Sequence, residues 1–331
     1  VLVDAEVGVD QDVRVVVTGG AGFIGSNLVA ALESAKHHVV VLDDLSTGQT
    51  RFLEEASTVA RLHRIDLLRE PERLRSLLDG ADAVVHLAAN ADVRAGWSHP
   101  RRDLEQNVVV TMNVCEAMRD VGCRRLVFSS TGSVYGEAQV IPTPEDVAFP
   151  RQTSLYGASK AAAEGFLAAY AEAGHLDVTV FRFVSILGPR YSHGHVIDFV
   201  RQLRRDPHHL QILGDGTQRK SYLDVDDCVS AISHRLVEPE RFEIYNLGTD
   251  EYCTVRESVS WICERLELEP SLSFTGGDRG WIGDNPFIWL DTQRIRRTGW
   301  CPTRTIRQAV ERTVDYLVAN SWVLDLEARR S

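Results

Sequence analysis

Short runs of β-branched and apolar residues recur through the first half of the chain. They fall at Val13–Thr18, His38–Leu42, Arg61–Ile65, Ala83–Leu87, Arg125–Ser129 and Val178–Phe183. Between several of them lie longer segments with apolar residues at helical spacing, among them Gly22–Ala35, Pro100–Val121 and Ser154–Gly174. Strand alternating with helix predicts a doubly wound α/β fold with right-handed crossovers. Val13–Val17 is almost continuously apolar, as expected of a parallel strand covered on both faces. Beyond Gly188 the rhythm breaks and Pro, Gly and His become frequent. Val225–Leu236, Arg256–Leu266 and Thr305–Ala319 read as helices, Ile244–Leu247 as one more strand, and Gly276–Pro286 as loop. The expected organisation is a first domain over residues 1–185, with a later contribution from about 220–250, and a smaller mixed α/β domain over 186–331.

Composition narrows the class. A chain of 331 residues has room for two domains, and 44% hydrophobic with 25% charged residues is ordinary for a globular protein. Acids outnumber bases 47 to 36, giving a formal charge of −11, which argues against nucleic acid as a partner. The six cysteines contain no CxxC pair, which reads as thiols in a reducing compartment rather than a disulfide framework or zinc site. No apolar run approaches the roughly 18 residues of a membrane span. The first dozen residues lack the basic and apolar regions of a signal peptide. A cytoplasmic protein with no membrane partner is the expectation. His193-Gly-His195 has no third ligand at recognisable spacing and reads as a pair of loop histidines, with no metal expected. Only three of the 36 basic residues are lysines: Lys36, Lys160 and Lys220.

The first strand runs into Thr18-Gly19-Gly20-Ala21-Gly22-Phe23-Ile24-Gly25 and then a helix. Glycines here permit a tight βα turn, close approach of the backbone to a pyrophosphate, and close packing of helix on sheet. The helix N-terminus adds N–H donors and a positive dipole end. This is the fingerprint of a Rossmann-type dinucleotide site. Asp43 and Asp44 end the second strand, about 20 residues on, where an acid accepts hydrogen bonds from ribose hydroxyls and repels a 2′-phosphate, favouring NAD over NADP. Asp66, after the third strand, is placed to border the adenine.

Tyr156-Gly-Ala-Ser-Lys160 puts a phenol and an ammonium on one face of a predicted helix. A cation beside a phenol lowers its pKa and lets it accept a proton from an alcohol. Thr131, in the loop after the fifth strand, offers a hydroxyl to the same reacting oxygen.

Taken together, these residues resemble the extended short-chain dehydrogenase/reductases that modify nucleotide sugars, the UDP-glucose 4-epimerase-like group. The resemblance runs from about Val13 to Pro302. It is carried by Val15–Gly25, Leu42-Asp-Asp-Leu-Ser-Thr-Gly48, His86-Leu-Ala-Ala89, Asn107, Ser129-Ser-Thr131, Tyr135-Gly136, Tyr156–Lys160, and Arg182-Phe183 with Gly188-Pro-Arg190. It implies a tightly held NAD in contact with Gly19, Gly22, Phe23, Ile24, Gly25, Asp43, Asp44, Ser46, Thr47, Gly48, Asp66, Leu67, Leu87, Ala88, Ala89, Asn107, Ser129, Tyr156 and Lys160. Tyr156 is then the acid/base, Lys160 orients the nicotinamide ribose, and Thr131 is the hydroxyl partner in oxidation at C4 of the sugar.

The resemblance also implies a nucleotide-sugar substrate, a UDP-sugar, touching Arg94, Thr131, Ser133, Ser185, Arg190, Arg219, Lys220, Arg279, Trp281 and Asp284. Lys220 or Arg219 is the expected diphosphate base. Trp281 stands where the family's usual Arg would be, and Ser185 where many members have Asn. In the 4,6-dehydratases the matching Thr is followed by Asp-Glu, and decarboxylases tend to carry a Glu there; this chain has Gly132-Ser133. The expectation is therefore a nucleotide-sugar 4-epimerase. The alternatives are a dehydratase, decarboxylase or net oxidoreductase in deoxysugar biosynthesis, and more remotely a silent NAD-binding regulator. The helices near Pro100–Val121 and Ser154–Gly174 resemble those that form the family's homodimer.

Overall fold

The structure, a computed structural model, describes residues 13–57, 59–93, 96–148, 150–236, 240–280 and 285–329. Its centre is a seven-stranded parallel sheet. The first six strands in sequence are β1 (Arg14–Thr18), β2 (His38–Asp43), β3 (Arg61–Arg64), β4 (Ala83–His86), β5 (Arg125–Thr131) and β6 (Asp177–Phe183). Three short strands follow, β7 (Ser185–Leu187), β8 (His209–Ile212) and β9 (Arg219–Lys220), then β10 (Tyr222–Asp224) and β11 (Phe242–Leu247). The large sheet has the order β11-β6-β5-β4-β1-β2-β3, with the chain reversing its direction of travel between β1 and β4. In an open α/β sheet, ligands bind beyond the carboxyl ends of the strands at such a switch point.

The helices are α1 (Phe23–Ser34), α2 (Thr50–Ala56), α3 (Pro71–Leu78), α4 (Pro100–Asp103), α5 (Val110–Val121) and α6 (Leu155–Glu172). They continue as α7 (His195–Arg205), α8 (Val225–Leu236), α9 (Val255–Leu266), α10 (Gln293–Arg296) and α11 (Ile306–Ala319). Val15, Val16 and Val17 of β1 are completely buried, because both faces of the strand are covered. Val15 and Val17 face one core, which continues through β6 to α7, α8 and α11. Val16 faces the other, packed with α3, α5 and α6.

The structure differs from the sequence reading in three places. The segment Pro100–Val121 is not one regular helix: a π-helical turn, Leu104–Val109, separates α4 from α5 and carries the buried Asn107. Such turns insert an extra residue and often mark functional sites. The break in alternation beyond Gly188 is only partial. Helix α7 buries Val196, Ile197, Phe199, Val200 and Leu203, and β11 adds to the edge of the large sheet beside β6. The short α2 and α3 were not expected.

A buried ionic knot fastens the C-terminal region to the end of β10. The Asp224 carboxylate, fully buried, takes 2.6 Å bonds to both its oxygens from Arg312 of α11. Arg304 lies 3.4 Å from it, and both arginines also reach Asp226. Asp227 accepts from the Thr303 and Arg304 backbone N–H groups.

Candidate active site

The glycine turn joins β1 to α1 at the carboxyl end of the sheet. Gly19 has φ +69°, and a Cβ there would lie 2.7 Å from the Ala88 nitrogen. At Gly25 a Cβ would lie 2.6 Å from Gly20 Cα. Both positions therefore require glycine, the first because the backbones after β1 and β4 touch, the second because α1 packs directly on the turn. Gly22 caps α1 with backbone alone, as an anion-binding helix start requires. Phe23 is buried edge-on against Tyr191 at 5.5 Å, and Ile24 is partly exposed.

Asp43 is buried behind this turn and accepts from Ala21 N–H at 2.9 Å and Leu45 N–H at 2.8 Å. Burial pushes its carboxyl above the usual range, against the pull of those two bonds. Asp44, more open, accepts from the Ser46 hydroxyl at 2.6 Å, and the buried Gly48 fits against the Asp43 carboxylate. Asp66 is occupied in its own turn: its carboxylate accepts from Leu68 and Arg69 N–H groups ahead of α3. Leu67 is buried, and its carbonyl accepts from Asn113.

The residues expected to handle the proton come from two elements, β5 and α6. Ser154 caps α6 through Gly157 N–H at 3.0 Å, which fixes the start of the helix that bears Tyr156 and Lys160. The Thr131 hydroxyl, at the end of β5, accepts from Ser133 N–H at 3.1 Å and acts to lower the pKa of the Tyr156 phenol. Lys160 is 2% exposed; its ammonium donates to the Ser129 carbonyl at 2.8 Å and sits 4.7 Å over the Phe128 ring.

The electrostatics correct one expectation. Burial raises the Tyr156 phenol to about 12, opposed by Thr131 and reinforced by the Asp103 charge. Burial also brings the Lys160 ammonium down to about 7, opposed by the Glu164 charge. A cation placed beside the phenol would oppose the rise in its pKa by stabilising the phenolate.

Sequence reasoning left His86 and Glu164 without roles. His86 is buried between β1 and α5, with Nδ1 2.6 Å from Thr18 Oγ1 and Nε2 3.1 Å from Thr111 Oγ1. The Thr111 hydroxyl donates to the Asn107 carbonyl at 2.7 Å, so it accepts from His86 Nε2–H, and Nδ1 accepts from Thr18. Asn107 donates to Ser159 Oγ at 2.9 Å, and Ser159 donates to the Tyr156 carbonyl at 2.8 Å. A continuous chain of bonds thus ties the glycine turn to the tyrosine helix. Burial holds His86 neutral, down at about 3. The signal for Glu164 was its place four residues after Lys160, on the same helix face.

Toward the substrate side, alternation along β9 separates its two bases. Lys220 turns inward, donating to the Asn285 carbonyl and adding its charge to the field at His195. Arg219 stacks on Phe287, 3.9 Å from the ring centroid. Arg190 reaches Asn27 of α1 at 2.8 Å, and Arg279 pairs with Glu137 at 2.6 Å. Ser185 begins β7 and is exposed, while Ser133 lies in the helical turn after Thr131. Leu87, Ala88, Ala89 and Ser129 border the glycine turn, with Leu87 N–H bonded to the Thr18 carbonyl and the Ser129 hydroxyl to that of His86. Thr47 is exposed beside Gly48. Arg94, Trp281 and Asp284 lie outside the described residues. His195 bonds Ser258 at 2.9 Å and His193 stacks on Tyr191. Among the described residues no helix is long and apolar enough to cross a membrane.

The glycine cradle, the carboxylate behind it and the Ser129–Lys160 pair fit NAD. Known proteins agree. The model of the NAD dependent epimerase/dehydratase family matches residues 15–248. The UDP-glucose 4-epimerase of Mycolicibacterium smegmatis is 32% identical over 310 residues, 92% of this chain and 98% of that protein. A UDP-galactose 4-epimerase crystal structure is 38% identical, with a TM-score of 0.82, covering 93% of this chain and 100% of that one. The Thermus thermophilus UDP-glucose 4-epimerase, solved in complex with NAD, is 32% identical with a TM-score of 0.82, covering 92% and 99%. With its seven-stranded parallel sheet, its glycine turn and its Thr–Tyr–Lys site, the chain belongs to the NAD-dependent epimerase/dehydratase family of extended short-chain dehydrogenase/reductases.

Proposed function

We propose that this enzyme is a cytoplasmic UDP-sugar 4-epimerase. The observation that carries the reading is that Thr131, at the end of β5, is followed by Gly132-Ser133 rather than by a carboxylate pair. Water elimination needs a proton donor and acceptor beyond the oxidising site; inversion at C4 needs only removal and return of one hydroxyl proton. NAD, when bound, accepts and returns the hydride and brings the positive charge that the buried phenol lacks.

In this reading Tyr156 takes the proton of the C4 hydroxyl and Thr131 bridges the two oxygens. Lys160, fixed by the Ser129 carbonyl, holds the cofactor ribose. Gly19, Gly22, Phe23, Ile24 and Gly25 receive the pyrophosphate, and Asp43 secures the turn that receives it. Lys220 neutralises the substrate diphosphate, while Arg279 and Ser185 line its approach. The C4 ketone turns over between a deprotonation and a reprotonation by the same phenol, so both epimers use one acid/base. Leu104 and Phe166 are exposed apolar side chains on the helices assigned to a homodimer, which light scattering at micromolar concentration tests.

The test is incubation with NAD and a panel of UDP-sugars. Interconversion of C4 epimers without net NADH supports the reading; a 4-keto or decarboxylated product overturns it.

A further inference from the structure

Helix α6 carries a second buried charge that the reaction does not use. Glu164 lies one turn beyond Lys160, and its side chain is 8% exposed. Its carboxylate is fully engaged by other elements. Oε1 accepts from the Ser130 hydroxyl of β5 and from Arg182 Nε of β6 at 3.1 Å. Oε2 accepts from Arg182 Nε at 3.2 Å and Nη2 at 2.6 Å. Arg182 is fixed in turn by the Tyr135 hydroxyl at 2.7 Å and the Glu145 carbonyl at 2.8 Å, and it lies over the Tyr135 ring.

This clamp has a consequence for the lysine. A free carboxylate four residues away would draw the ammonium into an ion pair along the helix. Here both carboxylate oxygens are already held, and the ammonium goes instead to the Ser129 carbonyl. Glu164 nevertheless stands one turn from Lys160 on the same face of α6, with both side chains buried.

We propose that Glu164 is a positioning residue for Lys160: clamped by Arg182 and Ser130, its carboxylate acts through space to hold the buried ammonium charged against the Ser129 carbonyl. The inference builds on the assignment of Lys160 to the cofactor ribose. The groups that face Lys160 are few. Tyr156 and Glu164 share its helix, His86 approaches from β4, and Arg182 stands behind Glu164 on β6. Burial lowers the lysine to about 7, and Glu164 is the charge that opposes it. His86 is neutral and adds no charge of its own.

The scarcity of lysine makes the test direct. The full chain labelled with ε-¹³C-lysine gives signals from only Lys36, Lys160 and Lys220. The Lys160 signal is the one missing from Lys160→Met. In Glu164→Gln its titration midpoint moves down by about one pH unit, the lower end of what a nearby opposite charge contributes. Glu164→Asp restores part of that shift. A midpoint equal to or above wild type in folded Glu164→Gln overturns the proposal. Should Glu164→Gln fail to fold because Arg182 is left buried without a counter-charge, Arg182→Met is compared with Arg182→Met/Glu164→Gln. The same downward shift is expected between them, and equal midpoints overturn it. This readout needs no turnover. A failed epimerase assay with an intact lysine shift therefore removes the proposed function alone, and the converse removes only the role of Glu164.

Discussion

Replacing Lys160 with Met makes the folded protein more stable while it removes the cofactor contact. Lys160 titrates at about 7 in the folded chain, against 10.5 for an ordinary lysine. Burying the ammonium costs about 5 kcal/mol at low pH, from a gap of about 3.5 between the two values. The sign follows from where the protons sit. Between pH 7 and 10.5 the unfolded chain keeps the lysine proton and the folded chain gives it up, so stability rises with pH across that window. Below 7 the full cost is present; above 10.5 it is gone. Met matches the length of the stem and carries no charge. Its substitution leaves the Ser129 carbonyl without its 2.8 Å donor, which costs about 1–3 kcal/mol. The net gain at pH 6 is about 2–4 kcal/mol, several degrees in unfolding temperature for a chain of this size. Thermal unfolding of wild type and Lys160→Met at pH 6, 8 and 10 reads this directly. A variant less stable than wild type at pH 6, or a gain that fails to shrink toward pH 10, refutes the reasoning.

Other consequences are equally specific. Tyr156→Phe lowers kcat at least about 100-fold, as loss of a general acid/base does, while NAD stays bound; steady-state rates and cofactor content measured together check both halves. Arg312→Ala removes both 2.6 Å bonds to the fully buried Asp224 carboxylate, leaving Arg304 at 3.4 Å, and costs about 3 kcal/mol, the low end for breaking a buried pair, visible in denaturant unfolding. Acid also destabilises the fold, because buried His86 and His195 titrate at about 3 and about 4 when folded and at 6.5 when not. The unfolded state therefore binds more protons below pH 6.5. His86 alone accounts for about 2 kcal/mol at pH 5, so melts of His86→Gln at pH 5 and 7 differ less than those of wild type.

The large sheet was legible because its strands are buried on both faces and announce themselves as apolar runs. The glycine turn and the Tyr156–Lys160 pair were legible because their spacing is a local property of one turn and one helix. The elements that escaped are those whose reasons lie elsewhere in the chain. Helices α2 and α3 are only seven and eight residues long and bury just Phe52 and Leu53, and Leu74 and Leu78. Strands β9 and β10 span two and three residues and exist through their partners rather than their own pattern. The site's supporting charges escaped for the same reason. Glu164 meets Arg182 and Ser130 only once α6, β5 and β6 are assembled. The helix pair was visible in sequence, while the extent to which burial raises the Tyr156 phenol was not.

The central claim is that Thr131 and Tyr156, without an acid pair behind them, serve inversion at C4 and nothing further. The most direct measurement is the product of the purified enzyme with NAD and each of UDP-glucose, UDP-GlcNAc, UDP-glucuronate and their C4 epimers. Anomeric ¹H signals of the product distinguish the outcomes. At least one pair is expected to converge on the same equilibrium mixture from both sides, with no accumulation of NADH. A 4-keto or decarboxylated product, or no interconversion across the panel by protein that holds NAD, contradicts it.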